Sequence, residues 1–210
     1  MCSFDRGQSS LDCDAEGQVW YLTSYFTNAY KNSMSEKVYA EHMDHLVQNF
    51  NPQTGDRVHS AFLKGGVGRD EVEVELSPVM MSVSASGMMK KAKKGRVNST
   101  YDTKGVKKHW HDSSYTCVIT GITHKTNTYP LSLDRITDDR PHDRDDCVLM
   151  SLHLNRAKNK IPTFVSRDAL NEYRTENNMD NIDDFAVMCS ILRPIMIGMI
   201  QHWKNIRHNY

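Results

Sequence analysis

The sequence feature that most constrains the fold lies between Cys117 and Lys160. A short apolar segment there ends on the carboxylate of Asp134, and a polar loop follows it. A second apolar segment, Cys147-Val148-Leu149-Met150, leads into a segment in which Asn155 lies in a helical pattern. Short apolar runs bounded by polar turns are typical of strands. The order strand, loop, strand, helix predicts a β-hairpin packed on a helix.

Two further motifs flank this hairpin. Cys117-Val118-Ile119-Thr120-Gly121 precedes it, and Asn155-Arg156-Ala157-Lys158 follows it. Together with Ser132-Leu133-Asp134-Arg135-Ile136, they resemble the HNH (His-Me finger) endonucleases, of the phage or homing type with an L-D-R-I motif. The resemblance implies an α+β fold in which a ββα-metal finger is embedded in a mostly helical small protein.

The resemblance also implies a metal site. Asp134 and Asn155 would be the protein ligands of Mg²⁺ or Mn²⁺, hard cations that take oxygen ligands and keep several waters. Such an ion binds a phosphate oxygen and stabilises charge during phosphodiester hydrolysis. Arg156 and Lys158 flank Asn155, and we expect them to hold the substrate phosphate.

One position departs from the family pattern in a way that affects catalysis. Most HNH enzymes have a general-base histidine directly after the metal-binding aspartate, and this chain has Arg135 there. Arginine stays protonated and is a poor base, although it can orient a phosphate. His124 and His142, in the loops before and after the Asp134 strand, are the alternative candidates for the base. Asp146 also replaces the central asparagine of the family.

The chain has no net charge to attract DNA, because 26 basic residues balance 26 acidic ones. Any DNA-binding surface must therefore come from local segregation of charge. A basic span just before the finger provides such segregation, and a solvated lysine-rich linker is the alternative interpretation. We expect DNA contacts from Lys90, Lys91, Lys93, Lys94, Arg96, Lys107 and Lys108.

The composition indicates an ordinary intracellular protein. The five cysteines include no C-x-x-C pair, which favours reduced thiols and a cytoplasmic location. The N-terminus lacks the basic head and apolar core of a secretory signal. The apolar run 185–200 is too short for a membrane span and is interrupted by Arg193-Pro194, so we expect core helix there and no membrane partner.

Helical periodicity and capping residues predict most of the other elements. The predicted elements are a polar leader over 1–17, a helix over 18–31, a helix over 34–50 capped by Ser33, a loop over 109–112, a helix over 167–176 capped by Ser166, and a helical region from Asp183 that Pro194 kinks or divides. His109-Trp110-His111-Asp112 also has the composition of a metal site, but we prefer a loop entering the finger.

These patterns divide the chain into four regions. They are residues 1–89, helical and strand, for dimerisation or site specificity; 90–112, a basic DNA-contacting linker; 113–176, the HNH-like finger; and 177–210, C-terminal helices. The predicted function is a metal-dependent DNA endonuclease, with a homodimer as one expected assembly. The alternative is a catalytically inactive HNH-like module that binds nucleic acid or protein.

Overall fold

The structure is a computed structural model, and it describes residues 2–6, 20–65, 101–123, 129–164 and 166–209. The fold of these residues is α+β, with helices packed against two small antiparallel sheets of two strands each. The elements in chain order are β1 (Cys2–Arg6), β2 (Trp20–Ser24), α1 (Tyr25–Lys31), α2 (Glu36–Asn49), α3 (Pro52–Leu63), α4 (Thr103–Asp112), β3 (Leu131–Arg135), β4 (Cys147–Ser151), α5 (Leu152–Lys158), α6 (Arg167–Glu176) and α7 (Asp184–Ile206).

The central hairpin forms where the sequence predicts it. β3 pairs antiparallel with β4, with Leu131 opposite Ser151 and Arg135 opposite Cys147. α5 begins directly after β4 and contacts both strands. All five residues of β4 are buried, as expected for a strand covered on both faces. The prediction of a hairpin followed by a helix is therefore confirmed.

The N-terminal prediction is partly wrong. Residues 2–6 form β1, paired with β2, within the segment predicted as a polar leader. The predicted helix over 18–31 begins only at Tyr25, since its first part is β2. Trp20-Tyr21-Leu22-Thr23 is a run of aromatic, branched and β-branched residues that favours a strand when another segment is present to pair with it. The helical spacing of the apolar residues in 18–31 carries no information about β1, the segment that pairs with β2.

Two helix boundaries in the next segment also differ from the prediction. The N-cap of α2 is Ser35, whose side chain accepts from the amide of Val38, and not Ser33. α2 ends at Asn49, next to the predicted end at Phe50, but a helix that was not predicted follows at once, because Asn51 caps α3 and Pro52 occupies its first position. Both residues suit a helix start as well as a turn.

The predicted cap of α6 and the predicted start of α7 agree with the structure. Ser166 caps α6 by accepting from the amide of Ala169, and Asp183 caps α7 by accepting from the amide of Ala186. Pro194 lies inside α7 and does not divide it. The segment 109–112, predicted as a loop, is the last turn of α4, which begins after the N-cap Asp102.

α7 supplies much of the hydrophobic core. Its buried residues are Phe185, Val187, Met188, Cys189, Leu192, Met196, Met199, Ile200, Trp203 and Ile206. By length and composition, this helix also meets the criterion for crossing a membrane, a test that core helices of globular proteins pass as well. Cys117, Cys147 and Cys189 are buried free thiols.

Candidate functional site

Asp134 lies on the strand face that packs against α5. It is 5% exposed, and its Oδ2 atom is 3.1 Å from Nζ of Lys158. Oδ2 makes no hydrogen bond of good geometry in the described structure. Burial raises the pKa of Asp134, while the positive charge of Lys158 opposes that rise. The predicted metal-binding carboxylate is therefore buried beside an ammonium group.

Lys158 occupies a different position from the one the sequence predicts. It is fully buried, and Nζ donates to the carbonyl of Arg135 at 2.8 Å. Oδ1 of Asp138 lies 3.7 Å from the same nitrogen, and the ring centre of Phe164 lies 5.1 Å from it. The ammonium group of Lys158 contacts protein oxygens in the interior. A phosphate ligand must reach the surface, so the prediction that Lys158 holds the substrate phosphate is wrong.

Asn155 faces the same side of β3 as Asp134. Its Nδ2 donates to Oγ of Ser132 at 3.2 Å, and its Oδ1 accepts from Nδ2 of Asn159 at 3.2 Å. Side chains two apart on a strand share a face, so Ser132 and Asp134 both project toward α5. Asn155 donates to Ser132, and Lys158 lies beside Asp134. The two predicted metal ligands are thus on one shared face, with the amide nearest Ser132.

Arg135 projects to the opposite side of β3 from Asp134. Its guanidinium donates to the carbonyls of Asp138 and Arg140, and the latter bond measures 2.7 Å. Both acceptors belong to the loop between β3 and β4. Arg135 therefore organises that loop, and its position explains why an arginine with several donors is useful there.

The same loop holds a buried carboxylate. Asp146 is 1% exposed and accepts from Oγ1 of Thr137 at 3.1 Å. Burial raises the pKa of Asp146 to about 6, against the hydrogen bonds from Thr137 and the charge of Arg140. His142, one of the two candidate bases, is half-buried in this loop. His124, the other, lies outside the described residues.

α4 has one basic exposed face and one buried face. Lys104, Lys107, Lys108 and His111 are exposed, at the three- and four-residue spacing of a helix face, whereas Val106, His109 and Trp110 are buried. Lys108 Nζ is 2.7 Å from Oδ2 of Asp112, although the lysine side chain stays 61% exposed. The remaining predicted DNA contacts of the basic span, Lys90, Lys91, Lys93, Lys94 and Arg96, lie outside the described residues.

Arg144 connects this helix to the β3–β4 loop. Its Nη1 donates to Oδ2 of Asp112 at 2.9 Å, and its Nη2 donates to the carbonyl of Phe62 at 3.1 Å. Burial acts to raise the pKa of Asp112, but hydrogen bonds from Lys108 and Arg144 outweigh it, so the pKa lies below its usual value. The basic face of α4 is therefore anchored to the loop that contains His142.

The oxygen atoms around Asp134 suit a divalent cation in type. A buried carboxylate oxygen without a hydrogen bond, a second carboxylate on Asp138 and the carbonyl of Arg135 are all hard donors. The described residues contain no group of three or more His, Cys, Asp or Glu side chains arranged for a metal. An ion bound here would need water and carbonyl or amide oxygens to complete its coordination, as Mg²⁺ usually does.

Asp138 is part of this site in the structure but is not among the residues predicted from the sequence. The sequence feature that could have indicated it is the segment Asp134-Arg135-Ile136-Thr137-Asp138, in which one carboxylate lies before and one after the end of a strand. The strand ends at Arg135, so Asp138 returns toward the hairpin through the loop that Arg135 holds.

Comparison with known proteins finds no matching family model, no similar curated protein and no similar solved structure for this chain.

Proposed function

We propose that this chain is a metal-dependent DNA endonuclease of the HNH type, which hydrolyses phosphodiester bonds with water as the nucleophile. The observation that supports this proposal is the shared face of the hairpin and helix. Asp134 from β3 and Asn155 from α5 both lie on it, in the strand–strand–helix order that the proposed finger requires. We also propose that this hairpin and α5 form a ββα-metal finger, which is a more specific description than an α+β fold.

In this proposal, Asp134 and Asn155 hold Mg²⁺ or Mn²⁺, with Asp138 as a nearby carboxylate. The bound ion supplies Lewis-acid stabilisation of the charge on the phosphate oxygens. The pairing of Asp134 with Val148 in β4 holds its backbone, and Lys158 of α5 lies beside its carboxylate. Arg135 stabilises the loop instead of transferring a proton, since its guanidinium is bonded to two loop carbonyls.

The proton of the attacking water requires a base other than Arg135. His142 lies in the loop that Arg135 and Arg144 anchor, and His124 precedes β3 in the chain. A neutral imidazole accepts a proton near pH 7. Replacement of each histidine by glutamine separates the two candidates: only replacement of the base lowers the rate with bound metal and flattens the pH profile of that rate.

The DNA backbone contacts in this proposal come from α4 and from Arg156. The lysines of α4 are exposed, and Arg156 is exposed on α5 while its Nη1 lies 3.5 Å from the carbonyl of Ser33. Cations on one helix face neutralise successive phosphates without reading base sequence. Lys158 is excluded from this set because it is fully buried.

A plasmid-nicking assay tests the proposal. Purified protein is incubated with supercoiled plasmid and Mg²⁺ or Mn²⁺, beside the Asp134→Asn variant and an Asp145→Asn control, in which an exposed carboxylate of the β3–β4 loop is removed. Cleavage by the wild type and the control, and its loss in Asp134→Asn, supports the nuclease. Cleavage that survives in Asp134→Asn, or that no divalent cation supports, contradicts it.

A second candidate function is a non-catalytic nucleic-acid-binding module on the same scaffold. The observation in its favour is that both residues at the L-D-R-I motif have internal partners: Asp134 lies beside the ammonium of Lys158, and Arg135 binds loop carbonyls. This candidate predicts salt-dependent DNA binding that is the same with EDTA and with Mg²⁺, and no cleavage. Metal-stimulated nicking by the wild type would exclude it.

A further inference from the structure

Lys158 is enclosed by oxygen atoms in the interior of the protein. Nζ is 2.8 Å from the carbonyl of Arg135, 3.1 Å from Oδ2 of Asp134 and 3.7 Å from Oδ1 of Asp138. Lys158 is fully buried, and Phe164 closes the cage with its ring centre 5.1 Å from Nζ. We call these three oxygen-bearing residues, Asp134, Arg135 and Asp138, the oxygen cage.

The oxygen cage has the chemistry of a cation site. Two carboxylate oxygens and one carbonyl oxygen are the ligand types that Mg²⁺ and Mn²⁺ prefer. Burying an ammonium group is unfavourable unless anionic partners compensate it. Asp134 provides that compensation together with Asp138, whose Oδ1 also lies 4.0 Å from Nη2 of Arg135. Oδ2 of Asp134 is buried beside the ammonium group but accepts no hydrogen bond of good geometry from it. This oxygen therefore still has capacity to bind a cation.

We propose that Lys158 is an internal counter-ion that competes with the divalent cation for the oxygen cage and so sets the affinity of the protein for metal. A cation bound to Asp134 would share its oxygen with the ammonium, and the two positive charges repel each other. Lys158 is thus a positioning residue: it holds Asp134 and the loop residue Asp138 together when no metal is bound. This inference rests on the proposed function for the identity of Asp134 as the metal ligand.

The inference predicts that removing the ammonium strengthens metal binding. Lys158→Met keeps most of the buried volume and removes the charge, while Lys158→Gln also retains a donor for the carbonyl of Arg135. Titration calorimetry with Mn²⁺ on the full chain, without DNA, measures the affinity. We expect each variant to bind Mn²⁺ at least tenfold more tightly than the wild type, and we expect Asp134→Asn in the Lys158→Met background to abolish that increase.

The matched control is Lys160→Met, which removes an exposed lysine just after α5 and should leave the affinity at the wild-type value. An increase of less than tenfold in either Lys158 variant, or an increase that persists in the double variant, overturns the inference. If both variants are unfolded without metal, millimolar Mn²⁺ should restore their far-ultraviolet circular dichroism, because the ion replaces the missing charge. Failure to restore the fold also overturns it.

The test separates this inference from the proposed function. Tight Mn²⁺ binding by Lys158→Met, together with no plasmid cleavage by the wild type, leaves the counter-ion inference standing and rejects the nuclease. Cleavage by the wild type, together with unchanged Mn²⁺ affinity in the variants, rejects the counter-ion inference alone.

Discussion

Arg193 on α7 forms a two-pronged ion pair with Asp56 on α3, at 2.7 and 3.0 Å. The same guanidinium donates to the carbonyls of Val118 at 3.0 Å and Ile119 at 3.3 Å. It therefore joins α7 and α3 to the turn of the Cys117–Gly121 motif. The Asp56 side chain is 52% exposed and that of Arg193 is 16% exposed, so the two partners contribute unequally.

The first prediction is an asymmetry between these partners. Arg193→Ala leaves buried carbonyls without a donor, and we expect it to lower the free energy of unfolding by about 2–3 kcal/mol. Asp56→Ala removes only a half-exposed partner, and we expect a decrease below about 1 kcal/mol. Denaturant unfolding of both variants measures the difference, and equal decreases would refute the central role of the carbonyl interactions.

The second prediction concerns Gly121, which has φ +72° and closes the same turn. A Cβ atom at this position would lie 1.7 Å from the carbonyl oxygen of Asn51. We expect Gly121→Ala to destabilise the fold by more than about 2 kcal/mol, through backbone strain and this overlap. Gly198→Ala is the control, because a Cβ there meets open space within α7 and should stabilise by up to about 1 kcal/mol. Thermal denaturation of both proteins decides, and a stable Gly121→Ala variant would be inconsistent with the close approach.

The third prediction concerns pH. Burial, with the nearby charge of Arg144, lowers the pKa of His109 to about 3. Since an unfolded histidine titrates near 6.5, the unfolded chain binds more protons below that pH, and stability falls as the pH decreases from about 6.5 toward 3. Relative to His109→Gln, we expect the wild type to lose up to about 1.4 kcal/mol more per pH unit in this window. Urea unfolding at several pH values measures both slopes; parallel slopes would contradict the assignment.

The fourth prediction concerns the basic face of α4. Lys104→Glu with Lys107→Glu should weaken DNA binding and reduce the slope of log affinity against log salt by about 2, at roughly 0.9 for each phosphate that is no longer neutralised. Lys204→Glu with Arg207→Glu is the control, because it makes the same change in net charge at two exposed residues at the end of α7. Fluorescence anisotropy over a range of salt concentrations gives both slopes. Equal effects of the double variant and the control would show that α4 is not the DNA-binding surface.

The sequence predicted the hairpin and α5 because their signals are local. β3 and β4 are short apolar runs, and Ser166 and Asp183 cap their helices within one turn of chain. It did not predict β1, because pairing between residues 2–6 and 20–24 depends on a partner segment and not on local periodicity. The two polar histidines of the segment 109–112 favour a loop, whereas in the structure His109 and Trp110 belong to the buried face of α4.

The candidate site was only partly predictable for the same reason. Asp134 and Asn155 are predicted together because the resemblance to the HNH family implies that both bind metal, and the structure has them on one face of the hairpin and helix. The burial of Lys158 and the approach of Asp138 depend on how the β3–β4 loop returns over α5, and Arg135 fixes that path by donating to loop carbonyls. A lysine next to Asn155 is typical of a phosphate ligand, which is why Lys158 is predicted as one. In the structure, α5 packs so that Lys158 is buried beside Asp134 and Asp138.

The most direct test of the nuclease is the initial rate of plasmid nicking as a function of Mn²⁺ concentration, compared between the wild type and Asp134→Asn, with circular dichroism to establish that both are folded. We predict a saturable, metal-dependent rate for the wild type and a decrease of more than about 100-fold in the variant, because the charge stabilisation supplied at the phosphate is removed. A folded Asp134→Asn variant that nicks DNA at the wild-type rate, or a wild type whose rate does not depend on Mn²⁺, would contradict the account.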